Sequence, residues 1–158
     1  MIERYRPALR NYFTPPTRYE KGIRKPFDKL KDLCDAVVGV VIRHGDYREY
    51  LGGKYFYSLS VFQRVLEELT AHMSPFRPGF FIASDEDQDT SVFEQFPYYF
   101  RQGHPVENLN ALSRCDYLVG TPSTFLTWPA FIGNMPCFQL FPENLKQEKM
   151  TFPTEFIK

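Results

Sequence analysis

Three cysteines, Cys34, Cys115 and Cys137, are too few and too widely spaced to frame a zinc site, and their odd number argues against a secreted disulfide scaffold. A reducing cytoplasm is the expected compartment. No stretch approaches the roughly 18 apolar residues of a membrane-spanning helix, and Glu3, Arg4 and Arg6 sit where a secretory leader needs apolar side chains. An excess of one charge is missing too, because 19 Lys and Arg face 19 Asp and Glu with no basic block. That balance excludes the footprint of a general nucleic-acid binder or a polybasic membrane anchor and leaves room for a small anionic ligand.

What is present suits one domain: 158 residues with 43% hydrophobic content can enclose a single sizeable core. The 13 prolines and 17% aromatics favour irregular, aromatic-lined loops over a helical bundle. Along the chain, Ile2 to Phe13 reads as a short helix stopped by Pro15 and Pro16, and the polar stretch Thr17 to Lys31 as a connection. Strands are expected at Ala36–Ile42, Gly79–Ala83, Tyr98–Arg101, Asp116–Gly120 and Pro136–Leu140. Between them, Ser58 caps a helix carrying Val61, Phe62, Val65, Leu66 and Leu69, and further helices cover Thr90–Gln95, Val106–Arg114 and Phe125–Ile132. Such alternation predicts a three-layer α/β/α Rossmann-like domain, with a mainly parallel sheet of about five strands and the first strand central. The expected division is 1–34 as an N-terminal helix and connection, 35–141 as the binding domain and 142–158 as a tail on the surface.

Open α/β sheets bind ligands beyond the C-terminal ends of their strands, so chemistry should gather on three loops. The first carries Arg43, His44, Gly45, Asp46 and Tyr47, the second Ser84 to Asp87, and the third Thr121 to Thr124. Gly45 lets the backbone turn sharply toward an anion, and Arg43 offers bidentate bonds to a phosphate. Ser123 and Thr124 open a helix, where hydroxyls and unpaired N–H groups can grip the same phosphate. Taken alone, such a pair is more often an ordinary helix cap.

These residues also carry a resemblance. Val41-Ile42-Arg43-His44-Gly45-Asp46-Tyr47 resembles the His-x-Arg-Arg-Gly-Asp signature of the α-1,2-, α-1,6- and O-fucosyltransferase superfamily. Val41 stands for its leading His and His44 for its second Arg, while the phosphate-binding Arg is kept as Arg43. The run from Asn108 to Phe125, ending Gly120-Thr121-Pro122-Ser123-Thr124-Phe125, resembles the family's second donor motif. The resemblance covers about Ala36 to Leu140 and implies the donor-binding, C-terminal half of a GT-B-like enzyme. It would move fucose from GDP-fucose to a glycan hydroxyl, with inversion and without metal or other cofactor, and an N-terminal domain or partner chain would supply the acceptor site. Membrane surfaces where glycans are assembled become a second expected location.

The implied donor-binding set is Arg43, His44, Gly45, Ser84, Asp85, Glu107, Asn108, Ser123, Thr124 and Phe125. Arg43 and Asp46 are the catalytic candidates, Asp46 as a base or, preferably, as a group orienting the Arg43 loop. Asn108 replaces an acidic residue that reads guanine in the family, and Glu107 beside it is a substitute acceptor. Three rivals remain. A strand followed by Arg-His-Gly also resembles histidine phosphatases, with His44 as nucleophile and His104 or His72 as the second imidazole. The run Asp85-Glu86-Asp87-Gln88-Asp89 is a metal-binding candidate, although a solvated turn starting a helix explains it better. A degenerate nucleotide-sugar-binding module without catalysis is the third.

Overall fold

The computed structural model describes residues 2–13 and 16–153. Its centre is β1 (Ala36–Ile42), an apolar strand flanked by β2 (Pro78–Ser84) and β4 (Tyr117–Gly120), with β3 (Tyr98–Arg101) and β5 (Cys137–Gln139) at the edges. All four pairings are parallel, and the strand order is β3-β2-β1-β4-β5. A β-branched run suits a strand covered on both faces, since its side chains alternate into two apolar layers. Val38, Val40 and Ile42 enter one layer with Phe62, Val65, Leu66 and Leu69 of α3 (Leu59–Met73). Val37 and Val41 enter the other, against α2 (Lys21–Lys31), α4 (Pro105–Leu112) and α5 (Thr124–Gly133). Gly39 makes room for side chains from β4 and α4: a Cβ there would stand 2.8 Å from Leu112 Cδ2 and closer still to Leu118. The expected three-layer architecture, with β1 central, is the one observed.

Several local expectations are corrected. Residues 17–31, expected as a polar connection, hold a 3-10 turn (Thr17–Tyr19) and then α2, whose Ile23, Phe27 and Leu30 are buried against the sheet. Those three form one stripe at helical spacing, which is enough to dock a helix otherwise covered in charge. Ile2–Phe13 divides into a 3-10 turn (Ile2–Tyr5) and α1 (Arg6–Tyr12), and the expected stop at Pro15 lies outside the described residues. Thr90–Phe93 is a 3-10 turn rather than an α-helix. Ser58 occupies the N-cap position of α3, yet its hydroxyl bonds Ser60 Oγ at 2.8 Å rather than the helix backbone.

The tail does more than cover the surface. After α6 (Pro142–Leu145), Met150 and Phe152 enter the core beside Phe138. Arg64 on α3 fixes this path by donating to the carbonyls of Leu145, Gln147 and Glu148 at 3.2, 2.5 and 3.0 Å. Residues 154–158 of the expected tail lie outside the described residues. Among the described residues, no helix is long and apolar enough to cross a membrane.

Candidate functional site

Strand alternation continues past β1 and sorts the first loop. Arg43 follows Val41 toward the α4–α5 side, whereas His44 follows Ile42 toward the α3 side. His44 is only 5% exposed, its Nε2 lies 2.7 Å from the Tyr57 carbonyl, and its ring lies against those of Phe56 and Phe62. The imidazole is thereby a core group, and it does not line the clefts described below. Neither a donor contact nor a phosphoryl nucleophile is what its surroundings favour.

Parallel register sets Ile42 beside Ser84, so the first and second loops meet. Asp85 joins them: its Oδ1 accepts the His44 backbone N–H at 2.9 Å and its Oδ2 lies 3.3 Å from Arg43 Nε. That last contact is close enough for an ion pair but not aligned as a hydrogen bond, leaving buried Nε without a hydrogen-bond partner in the protein. Arg43 Nη2 donates to Asp46 Oδ1 at 2.8 Å, an arrangement that suits the orienting role for Asp46. Arg48 and Glu86 add a second ion pair at 2.6 Å between the same loops. Ser84 is buried, with its hydroxyl accepting from Glu86 N–H and the Gln88 side-chain amide, so it shapes the second loop. Gly45 sits under this junction, where a Cβ would stand 3.1 Å from Asp85 Oδ2.

The third loop leaves β4 at Gly120, whose φ of +156° strains any other residue and whose Cβ would lie 2.8 Å from Val41 N. Ser123 then takes the N-cap position of α5, accepting the Leu126 N–H at 3.2 Å. The ordinary cap expected of such a serine is present, but capping uses an oxygen lone pair and leaves the hydroxyl proton to donate. Thr124 is exposed at the first turn, and Phe125 is half-buried. Tyr47 Oη donates to the Pro122 carbonyl at 2.8 Å and pins the first loop to the third. Burial, the largest effect, pushes that phenol upward, which keeps it a donor.

Two clefts open between these loops, and Arg43 and Phe125 line both. One, of about 250 Å³, is bounded by Arg43, Ser84, Asp85, Gln102, Asn108 and Phe125. The other, of about 500 Å³, runs between Arg43, Asp46, Tyr47 and the start of α5 at Ser123 and Thr124. It lies between the β1 and β4 loops, where strand order reverses. Asn108 on α4 is 2% exposed, and its Oδ1 has no partner in the protein. Glu107, one position earlier, lines neither cleft and pairs with Arg101. Sequence reasoning passed over Gln102 and the Tyr47 clamp. The first could have been found as the residue leaving β3 at the same edge. Thr121, expected on the third loop, is fully buried beside β1 with its hydroxyl unpartnered, a burial that its place after a strand does not reveal in the sequence.

The remaining acidic and imidazole groups are dispersed. Asp85 serves Arg43 and His44, Glu86 serves Arg48, and Asp89 caps a turn by accepting the Ser91 N–H at 3.1 Å. His104 caps α4 through Nδ1 and stacks on Tyr19, while His72 lies against Phe152. Among the described residues, no three His, Cys, Asp or Glu side chains converge as a metal set.

An all-parallel five-stranded sheet, helices on both faces and a polar cleft at the switch point define a Rossmann-like α/β domain. A crystal structure of POFUT1, an O-fucosyltransferase, shares the fold. One with GDP bound matches at 15% identity and a TM-score of 0.55, over 75% of this chain and 46% of POFUT1. A second GDP complex gives 14%, 0.49, 75% and 48%, and an apo form 13%, 0.48, 75% and 46%. The chain thus spans less than half the length of these structures. No protein-family model matches it, and no curated protein matches it in sequence.

Proposed function

We propose that this chain is the donor-binding half of a fucosyltransferase-like glycosyltransferase and holds a nucleoside diphosphate sugar, with GDP-fucose as the leading candidate. The observation that supports it most is the position of Arg43, shared by a cleft ending at Asn108 and a cleft ending at the N-terminus of α5. A nucleotide spanning both would set its base near Asn108 and its diphosphate against Arg43, Ser123, Thr124 and the first-turn N–H groups of α5. The GDP held in a POFUT1 structure of the same fold agrees with this ligand class.

Arg43 has five N–H donors, and Asp46, 67% exposed on its side chain, can yield its bond to a phosphate oxygen. In the transfer itself, an acceptor hydroxyl would attack the anomeric carbon, the bond to the β-phosphate oxygen would break, and Arg43 would stabilise the departing diphosphate. Inversion follows from a single displacement. The hydroxyl proton needs a base, which this reading assigns to the acceptor side. The acceptor surface would come from residues beyond this chain or from a partner.

Calorimetric titration with GDP and GDP-fucose tests the reading. Saturable binding that weakens on the order of tenfold to hundredfold in Arg43→Ala is expected, the range for losing charge-assisted hydrogen bonds. Absence of binding to any nucleoside diphosphate by the intact fold would defeat it. Binding without transfer to any glycan, even with an acceptor domain supplied, would select the non-catalytic module.

A further inference from the structure

Resting on the nucleotide reading above, we propose that Asn108 selects the base, and that the cleft accepts adenine at least as readily as guanine. The 2%-exposed amide lines the cleft, and its Oδ1 is buried without a protein partner. A buried acceptor with nothing to accept is costly unless a ligand supplies the donor, so the group points to a hydrogen bond completed on binding.

The kind of base follows from what the cleft offers. Guanine is distinguished by N1–H beside an exocyclic amine, two donors that call for two acceptors side by side, as on a carboxylate. Asp85 is the carboxylate lining this cleft, and both of its oxygens are engaged, with the His44 N–H and with Arg43. Glu107 is turned to Arg101. An amide instead presents one acceptor beside one donor. That pair complements adenine's N6 amine with N7, the usual bidentate match of asparagine, or with N1. Guanine can offer the same pair O6 with N1–H, or N3 with one proton of its exocyclic amine, in either case at no greater number of bonds, so Asn108 gives guanine no advantage over adenine.

The test is titration of ADP and GDP into the wild-type chain and into Asn108→Asp, reading the ratio of the two dissociation constants, in which general weakening cancels. Wild type should bind the two within about tenfold or favour ADP, and Asn108→Asp should move the ratio toward GDP by about tenfold, the discrimination of one bidentate pair. A wild-type preference for GDP beyond about tenfold overturns the proposal, as does a folded Asn108→Asp variant with an unchanged ratio. If the variant does not fold, the wild-type ratio decides alone. GDP-only binding removes this inference and keeps the nucleotide reading, whereas no binding of either nucleotide removes both.

Discussion

The two ends of the sheet carry the same residue types and treat them in opposite ways. At the N-terminal end, Asp35 and Arg77 exchange backbone bonds, Asp35 N–H to the Arg77 carbonyl and Arg77 N–H to Asp35 Oδ2, each 2.8 Å, and their side chains pair at 3.3 Å. Asp116 repeats the pattern with Val37: its carboxylate accepts the Val37 N–H at 2.8 Å, and its own N–H reaches the Val37 carbonyl at 2.8 Å. At the C-terminal end, Arg43 meets Asp46 and Asp85, yet its buried Nε, Asn108 Oδ1 and Thr121 Oγ1 have no hydrogen-bond partner in the protein. Closed polar networks hold the strands' starting points together, and open ones wait for something else. Residue type alone does not tell these two ends apart, whereas the hydrogen bonds left open around Arg43 and Asn108 do.

The sharpest way to break this contrast is to remove one arginine at each end. Arg43→Ala should lower GDP affinity on the order of tenfold to hundredfold, while Arg77→Ala leaves it unchanged and lowers only the melting temperature. Equal loss of binding from both would mean that the ends are not functionally distinct. A smaller effect is expected from Asp116→Ala, which strips the buried Val37 N–H of its acceptor. Urea unfolding should show a loss of about 1–3 kcal/mol, the penalty of an unsatisfied buried donor, with GDP affinity per folded molecule unchanged. Loss of nucleotide binding without loss of stability would place Asp116 in the site instead.

Much of this contrast was legible in the sequence, and its failures share one cause. The β-branched run Ala36–Ile42 fixes β1 to the residue, and short aromatic and aliphatic runs mark the strands at Tyr98–Arg101 and near Gly120. Arg43 emerges at the ligand-binding edge as expected. What the sequence could not settle is rotation. Glu107 and Asn108 are adjacent on α4, about 100° apart around its axis, and only the docking of α4 on the sheet decides which one faces the cleft. His44 is the milder case, because alternation from Val41 and Ile42 already directs it opposite to Arg43. Helix α2 escaped notice for another reason: Gly22, Pro26 and a charged exterior hide a stripe only three residues long.

The smallest expected effect concerns acid, and it tests whether the N-terminal network acts through its ionised form. The Arg77 backbone N–H, followed by the Arg77 side chain, holds the Asp35 carboxyl below the usual carboxylate range. A carboxyl with a depressed folded pKa adds stability that is present above its unfolded value, roughly 3.9, and that disappears as pH falls through the folded value. Asp35 is open to solvent, so water and salt screen the pair and the shift in melting temperature should be modest. Comparing wild type with Asp35→Asn between neutral pH and strong acid, the melting-temperature gap should be constant at neutrality and close below the ordinary carboxylate range. A gap that persists in strong acid would show that Asp35 works as a neutral backbone cap, and the two ends of the sheet would then differ in charge as well as in unfilled bonds.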